Sequence, residues 1–218
     1  VVGGTGAGKS SLMNALLRIN GLSEGKIEID GVDISLLGLR DLRSRFSIIP
    51  QDPVLFQGTI RKNLDPFSQT SDEDFWNSLK ISGYIKSDED IEGHKFHLDA
   101  VVEDEGSNFS LGERQLIALA RALVRQSKIL ILDEATSSVD YETDSFVQQT
   151  IAKDFKNCTV LCIAHRLNTV INYDKMLVLE QGIIEEYGEP GPYALWSNES
   201  RFREMCSSAG IVGDDFTG

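Results

Sequence analysis

Residues 3–10 read Gly3-Gly4-Thr5-Gly6-Ala7-Gly8-Lys9-Ser10, and this stretch narrows the fold of the 218-residue chain more than any other. Val1 and Val2 before it fit the end of a strand. Leu12, Leu16 and Ile19 after it recur at helical spacing, which predicts a helix from Ser10 to about Asn20, capped by Gly21. Between strand and helix, the glycines let the backbone curl so that successive N–H groups point inward. The helix presents its positive end to the same spot, so the turn is a cradle for an anion. The pattern G-x-x-x-x-G-K-[ST] is complete: Lys9 is placed to reach the β- and γ-phosphates of a nucleotide, and the Ser10 hydroxyl to hold Mg²⁺. The alternative is a glycine turn that merely happens to precede a helix; the fitting context on both sides weighs against it.

The rest of the chain alternates strands with helices, the pattern of an α/β layered fold. Residues 26–30 alternate like a half-buried strand and stop at the turn pair Asp30-Gly31. Residues 46–49 form a short strand ended by Pro50. From Gly58 to about Gln126 strand-like runs are scarce, and turn signals such as Asp65-Pro66 and Ser82-Gly83 separate helical stretches. This predicts a mostly helical insertion, closing with a helix whose apolar stripe is Leu116, Leu119, Ala120, Leu123 and Val124. The strands resume with the continuous apolar run at 129–132 and another at 159–164, as expected for a parallel sheet covered on both faces. Residues 175–180 and 183–186, joined by Gln181-Gly182, read as a hairpin. The tail after Gly210 is expected to be loose.

A carboxylate at the C-terminal edge of a parallel strand faces the crevice where ligands of open α/β sheets bind. The run at 129–132 ends in Asp133-Glu134. These can be a solvated strand end. Beside the glycine cradle they read as an Mg²⁺ partner (Asp133) and a group that orients or deprotonates the attacking water (Glu134). His165 follows the strand at 159–164 in the same way. It is either a structural histidine or a contact to the γ-phosphate or the water. His94 and His97 have metal-pair spacing but nothing nearby completes a site, so both read as surface residues.

Ser110-Leu111-Gly112-Glu113 leads directly into the apolar helix. Ser110 and Glu113 form S-x-x-E, a capping box, and Gly112 leaves the backbone open at the helix start. The segment is a well-capped helix, or a second helix start suited to an anion.

Taken in order, the glycine cradle, Gln51, Phe109-Ser110-Leu111-Gly112-Glu113, Asp133-Glu134, Ser138-Val139-Asp140 and His165 resemble an ATP-binding cassette (ABC) domain over nearly the whole chain. By that resemblance residues 3–10 are the Walker A motif and 129–133 the Walker B strand. Gln51 is the Q-loop glutamine, 138–140 the D-loop with Asp140, and His165 the switch histidine. Residues 109–113 are the signature, with Leu111 where glycine is usual and Glu113 where glutamine is usual. The implied fold is a P-loop NTPase (RecA-like) core sheet, residues 1–57 and 127–210, carrying a helical sub-domain, 58–126, and a tail, 211–218. The N-terminal strands and the adenine-stacking aromatic of the family would lie upstream of residue 1. The implied sites are ATP binding by residues 3–10 and Ser11, metal binding by Ser10, Gln51 and Asp133, and catalysis by Glu134, His165 and Gln51. Ser110, Leu111, Gly112 and Glu113 would meet ATP held by another cassette.

Arg61-Lys62-Asn63-Leu64-Asp65-Pro66-Phe67, Pro192-Tyr193 and Leu195-Trp196 are similar to subfamily C, the multidrug resistance-associated proteins and relatives. There the first cassette often lacks the catalytic glutamate and the second keeps it, so Glu134 points to a second cassette. The resemblance implies a head-to-tail dimer with a second nucleotide-binding domain, in the same polypeptide. Transmembrane domains would be touched around residues 51–56, and the chain would lie at the cytoplasmic face of a membrane and drive export by ATP hydrolysis.

Composition agrees. A net charge of −13 and a pI near 4.6 disfavour nucleic acid and anionic lipid as partners. The three cysteines make no disulfide framework, which fits a reducing compartment. No apolar run is long enough to span a bilayer, and the chain, opening inside a motif without Met, is expected to be part of a longer polypeptide. Two alternatives remain within the family: a soluble cassette protein without transport, and a regulatory cassette that binds ATP without turnover. A GTPase is disfavoured because no N-K-x-D motif is present.

Overall fold

The computed structural model describes residues 1–85, 97–133, 141–164, 167–169, 171–191, 195–197 and 200–216. In chain order the elements are β1 (Val2–Gly3), α1 (Lys9–Leu16), β2 (Glu28–Ile29), β3 (Val32–Asp33), α2 (Leu39–Ser44), β4 (Phe46–Ile49), β5 (Gly58–Thr59), α3 (Ile60–Leu64) and α4 (Asp72–Ile81). There follow β6 (Val101–Val102), α5 (Leu111–Arg125), β7 (Ile129–Asp133), α6 (Tyr141–Asp154), β8 (Thr159–Ile163), β9 (Met176–Glu180), β10 (Ile183–Gly188) and α7 (Arg201–Ser208). The chain forms two compact units, one of Val1–Arg43 with Leu161–Gly218, the other Ser44–Val160.

In the first unit β1 pairs in parallel with β9, and β9 turns back antiparallel into β10. The turn at Gln181 (φ 49°) and Gly182 (φ 81°) has both central residues at positive φ, which suits a two-residue hairpin. Asp30 (φ 51°) and Gly31 (φ 77°) join β2 to β3 in the same manner. On its other side Val1 donates its N–H to the Cys162 carbonyl (2.6 Å) and accepts from the Ala164 N–H (3.1 Å). Val1, Ala7, Ile163 and Leu179 form a small core here, with Leu12 and Met13 of α1 packed against it.

Helix α1 stops at Leu16, well before Asn20, and Gly21 is not its cap. Arg18 takes the left-handed conformation (φ 51°). Its N–H donates to the Ala15 carbonyl (3.1 Å) and the Ile19 N–H to the Asn14 carbonyl (2.8 Å). These are the two bonds of a Schellman ending, with arginine where glycine is usual. The Arg18 guanidinium offsets the strain by donating to the carbonyls of Ile34 (3.0 Å) and Leu37 (2.5 Å). Past Gly210 the chain is not loose as far as residue 216: Ile211 is buried and donates to the Cys206 carbonyl (2.9 Å), and a short 3-10 turn follows at Gly213–Phe216.

In the second unit β4 and β7 are parallel neighbours, Phe46 opposite Ile129 and Ile49 opposite Leu132. β8 lies beyond β7. The insertion has its own core of Leu55, Ile60, Phe75, Leu79, Leu98 and Phe109, closed by Ile117 and Ala120 of α5. Helix α5 does not bury the single stripe that its sequence suggests. Ile117, Ala118, Leu119, Ala120 and Ala122 are all buried, because α3 and α4 pack on it and so do β4 and α6.

The Arg18 ending generates a prediction with an internal control. Arg18→Ala loses both guanidinium bonds and keeps the left-handed strain, so it destabilises the domain. Arg18→Gly loses the same bonds but removes the strain, and should be about 1 kcal/mol more stable than the alanine variant. Denaturant midpoints of the two variants test this order; equal midpoints would show that the strain is absent.

Candidate nucleotide site

The glycine loop is held at both ends. At Gly3 (φ 153°) a Cβ would lie 2.2 Å from the Leu179 carbonyl oxygen, so only glycine lets β1 approach β9 this closely. Gly6 (φ 78°) and Gly8 (φ 101°) turn the chain into α1. The Gly182 N–H of the β9–β10 turn donates to the Ala7 carbonyl (3.0 Å), bracing the loop from behind. Lys9 is only 6% exposed, and its Nζ donates to the carbonyls of Gly3 (2.9 Å) and Gly4 (3.0 Å). The ammonium is therefore sunk in its own loop, and no carboxylate pairs with it among the described residues. A buried cation held only by neutral oxygens is a site prepared for an anion. Ser10 and Ser11 are exposed on the first turn of α1.

The capping pattern singles out the same place. Thr59, Ser71, Ser110 and Ser200 each accept a backbone N–H at the start of α3, α4, α5 and α7. The carboxylate of Glu186 takes two further amides of α7, those of Arg201 (2.6 Å) and Phe202 (3.1 Å). Among the α-helices whose N-caps are described, α1 alone starts on a residue, Gly8, that supplies no side-chain cap.

The second unit positions other members of the set. Because β4 and β7 run parallel and in register, Gln51, two residues past β4, and Asp133, the last residue of β7, share one sheet edge. A buried hydrogen bond between the hydroxyls of Ser47 and Ser127 (2.9 Å) ties β4 to the approach of β7. The α5 start is the capping box anticipated from S-x-x-E: the Glu113 N–H donates to Ser110 Oγ (3.2 Å), and the Ser110 N–H to Glu113 Oε2 (2.6 Å). Ser110 is an acceptor in this box, so its hydroxyl proton remains free to donate. The N–H groups of Leu111 and Gly112 have no partner within the helix, as in any first turn. Burial first, and the Glu113 charge second, push the nearby Tyr84 phenol far above its ordinary range, so the phenol stays neutral.

Glu134, Ser138, Val139, Asp140, His165, Pro192, Tyr193 and His94 lie outside the described residues. His97 is half exposed and stacks edge-on against Trp76, with ring centroids 5.7 Å apart. No cluster of His, Cys, Asp and Glu suited to a metal occurs among the described residues. Two residues escaped the sequence reading. Gln115 is buried and donates through Nε2 to the carbonyls of Pro50 (3.1 Å) and Gln51 (2.9 Å). Arg114 pairs with Asp52 (3.1 Å). The available signal was a glutamine among apolar residues on a helix that is buried on two sides.

The profile of the ABC transporter family matches residues 1–137. The chain belongs to the ABC transporter family. It is an ATP-binding domain of that family of ATPases. It is 60% identical to the oligomycin resistance ATP-dependent permease YOR1 of Saccharomyces cerevisiae, over 99% of this chain and 16% of the permease. It is 52% identical to ATP-binding cassette sub-family C member 2 of Rattus norvegicus, over 100% of this chain and 14% of that protein. The resemblance to sub-family C thus extends over the entire chain, which spans about a seventh of the length of these relatives. Among solved structures it is similar to a bacterial Atm1-family ABC exporter with ATP bound, with a TM-score of 0.86 and 33% identity over 96% of this chain and 36% of the exporter. The α/β P-loop core is that of this neighbour. No described helix is long and apolar enough to cross a membrane.

Replacing Lys9 by Ala removes the buried ammonium and should weaken ATP binding by about tenfold or more, the scale of one charge-assisted contact. Equilibrium nucleotide titration reads this directly, and an unchanged affinity would take Lys9 off the phosphates.

Proposed function

We propose that this chain is the second cassette of a multidrug resistance-associated type of exporter, binding MgATP and hydrolysing it at the cytoplasmic face of a membrane to drive substrate export. The observation that carries the reading is the uncapped start of α1 behind a loop whose lysine is buried with no carboxylate partner among the described residues. ATP phosphates would take the amides of Gly6 and of residues 8–11, the Ala7 N–H being used by the Gly4 carbonyl (3.2 Å), and Lys9 would serve the β- and γ-phosphates.

Ser10, Gln51 and Asp133 offer a hydroxyl, a carboxamide oxygen and a carboxylate. This all-oxygen set fits Mg²⁺. These residues would hold the ion, and when bound it would supply neutralisation of the charge that develops on the phosphates. Glu134 would orient and deprotonate the attacking water, and His165 would hold the γ-phosphate. The domain organisation proposed is a core of residues 1–57 and 127–210 with the helical sub-domain 58–126 inserted.

The partner is a second nucleotide-binding domain, head to tail, with Ser110, Leu111, Gly112 and Glu113 facing the ATP of that domain and Asp140 at the seam. Support comes from the α5 start: the Ser110 hydroxyl retains a donor, and the first-turn amides are unused by the helix. Glu113 limits this half-site, since its carboxylate places negative charge beside an anion. Transmembrane domains would meet residues 51–56, where Val54 and Phe56 are exposed.

In the full-length transporter, Glu134→Gln should keep ATP affinity and slow turnover by about 10²–10⁴-fold, the scale of a lost general base; wild-type turnover would remove Glu134 from that role. Glu113→Gln keeps an oxygen for the Ser110 N–H and removes the charge. It should lower the KM for ATP by about two- to fivefold, from the ~0.3–1 kcal/mol that a charge exerts at a helix start. A raised KM would show that the carboxylate assists binding.

A further inference from the structure

Residues 50–56 connect β4 to the insertion, and side chains reaching from α5 tie both ends of this loop to that one helix. At the entrance, the carbonyls of Pro50 and Gln51 both accept from the Gln115 carboxamide, at 3.1 and 2.9 Å. In an extended strand the pleat turns successive residues to opposite sides. Two consecutive carbonyls meeting one NH₂ group therefore mark a bend, and Gln115 holds that bend. Asp52, next along, pairs with Arg114 of the same helix.

At the exit, Phe56 exchanges two hydrogen bonds with Asn63: its N–H donates to Oδ1 (2.8 Å) and its carbonyl accepts from Nδ2 (2.7 Å). Arg121 of α5 donates to the Asn63 carbonyl (2.7 Å) and to its Oδ1 (3.3 Å). Asn63 is 1% exposed.

Gln115 is an unusual residue for its position. It is 1% exposed, and its Oε1 has no hydrogen-bond partner among the described residues. An orphaned buried acceptor costs about 1–3 kcal/mol. A methionine would fill the same volume without that cost. What only an amide supplies here is the pair of donors to Pro50 and Gln51. Turning the carboxamide over would set Oε1 against two carbonyl oxygens, so the donating orientation is the one the site imposes.

We propose that Gln115 is a positioning residue for ATP hydrolysis: by gripping the main chain of Pro50 and Gln51 from α5, it sets where Gln51 stands relative to the helix that begins at Ser110. The Arg121–Asn63–Phe56 chain does the same for the far end, so loop and helix move as one piece. This rests on the reading of Gln51 as a participant in hydrolysis.

The test is a double-mutant cycle in the purified full-length transporter, with Gln115→Met, Gln51→Ala and the two combined, measuring kcat and KM for ATP. Gln115→Met should lower kcat by about tenfold to a hundredfold, the cost of a misplaced reacting group, while KM stays within about twofold because the phosphate cradle is untouched. The combined variant should be no slower than Gln51→Ala alone, since the two act as one unit. Gln115→Glu, equal in size but repelled by the two carbonyls, should reproduce the loss of kcat. A wild-type kcat for Gln115→Met beside a slow Gln51→Ala overturns the positioning role alone, as do losses that multiply. A wild-type kcat for Gln51→Ala sinks the reading of Gln51 and the positioning role with it. Failure of both Gln115 variants to yield folded transporter makes the residue a packing element and overturns the proposal.

Discussion

An α-helix begins with amides that its own backbone cannot satisfy, and the way those amides are treated organises this chain. Where the start of a helix has only a structural task, a side chain closes it: Thr59, Ser71, Ser200 and the carboxylate of Glu186. At α1 the chain supplies glycine instead, and the lysine that follows folds back into the loop rather than out to solvent. Lys9 ties the loop together through the carbonyls of Gly3 and Gly4. Gly3 lets the strand before it lie against Leu179, and the Gly182 amide supports it from behind. A cap at α1 would stabilise the helix by about 1 kcal/mol; leaving it open is the local concession that creates the site.

The α5 start is treated in a third way. Its box is complete, yet built from a serine that accepts through oxygen and keeps its own proton. The helix is therefore capped by its own residues and still offers a donor and two amides. Glu113 is the compromise in this arrangement: negative charge at a helix start favours the helix and disfavours an incoming anion, through the same dipole.

Local chemistry was legible in the sequence. The glycine loop, the turn at Asp30-Gly31, the hairpin at Gln181-Gly182, the strand at 46–49 and the capping box all follow from residue type at fixed spacing, and each was found where expected. What failed depended on contacts distant along the chain. Nothing near Arg18 says that an arginine will adopt a glycine conformation, because the compensation comes from carbonyls at Ile34 and Leu37. The stripe on α5 looked one-sided because a helix buried on two faces has no solvent side to set its period. The same blindness hid Gln115, whose partners lie 64 and 65 residues away. Glu134, Asp140 and His165 were inferred from their motifs, and their geometry is not among the described residues.

The acidity of the chain opposes a polyanionic ligand, and the conflict resolves by range. A net charge of −13 opposes any partner that must lie along the surface, such as a nucleic-acid backbone. At physiological ionic strength, exposed charges are screened beyond about 8 Å. On the proposed reading, a triphosphate in the glycine loop would meet the Lys9 ammonium and the helix end at contact distance, where low accessibility to water makes both stronger. The distant carboxylates act only through solvent. One buried cation and one open helix start, acting at contact range, can therefore outweigh an acidic surface that acts only through solvent.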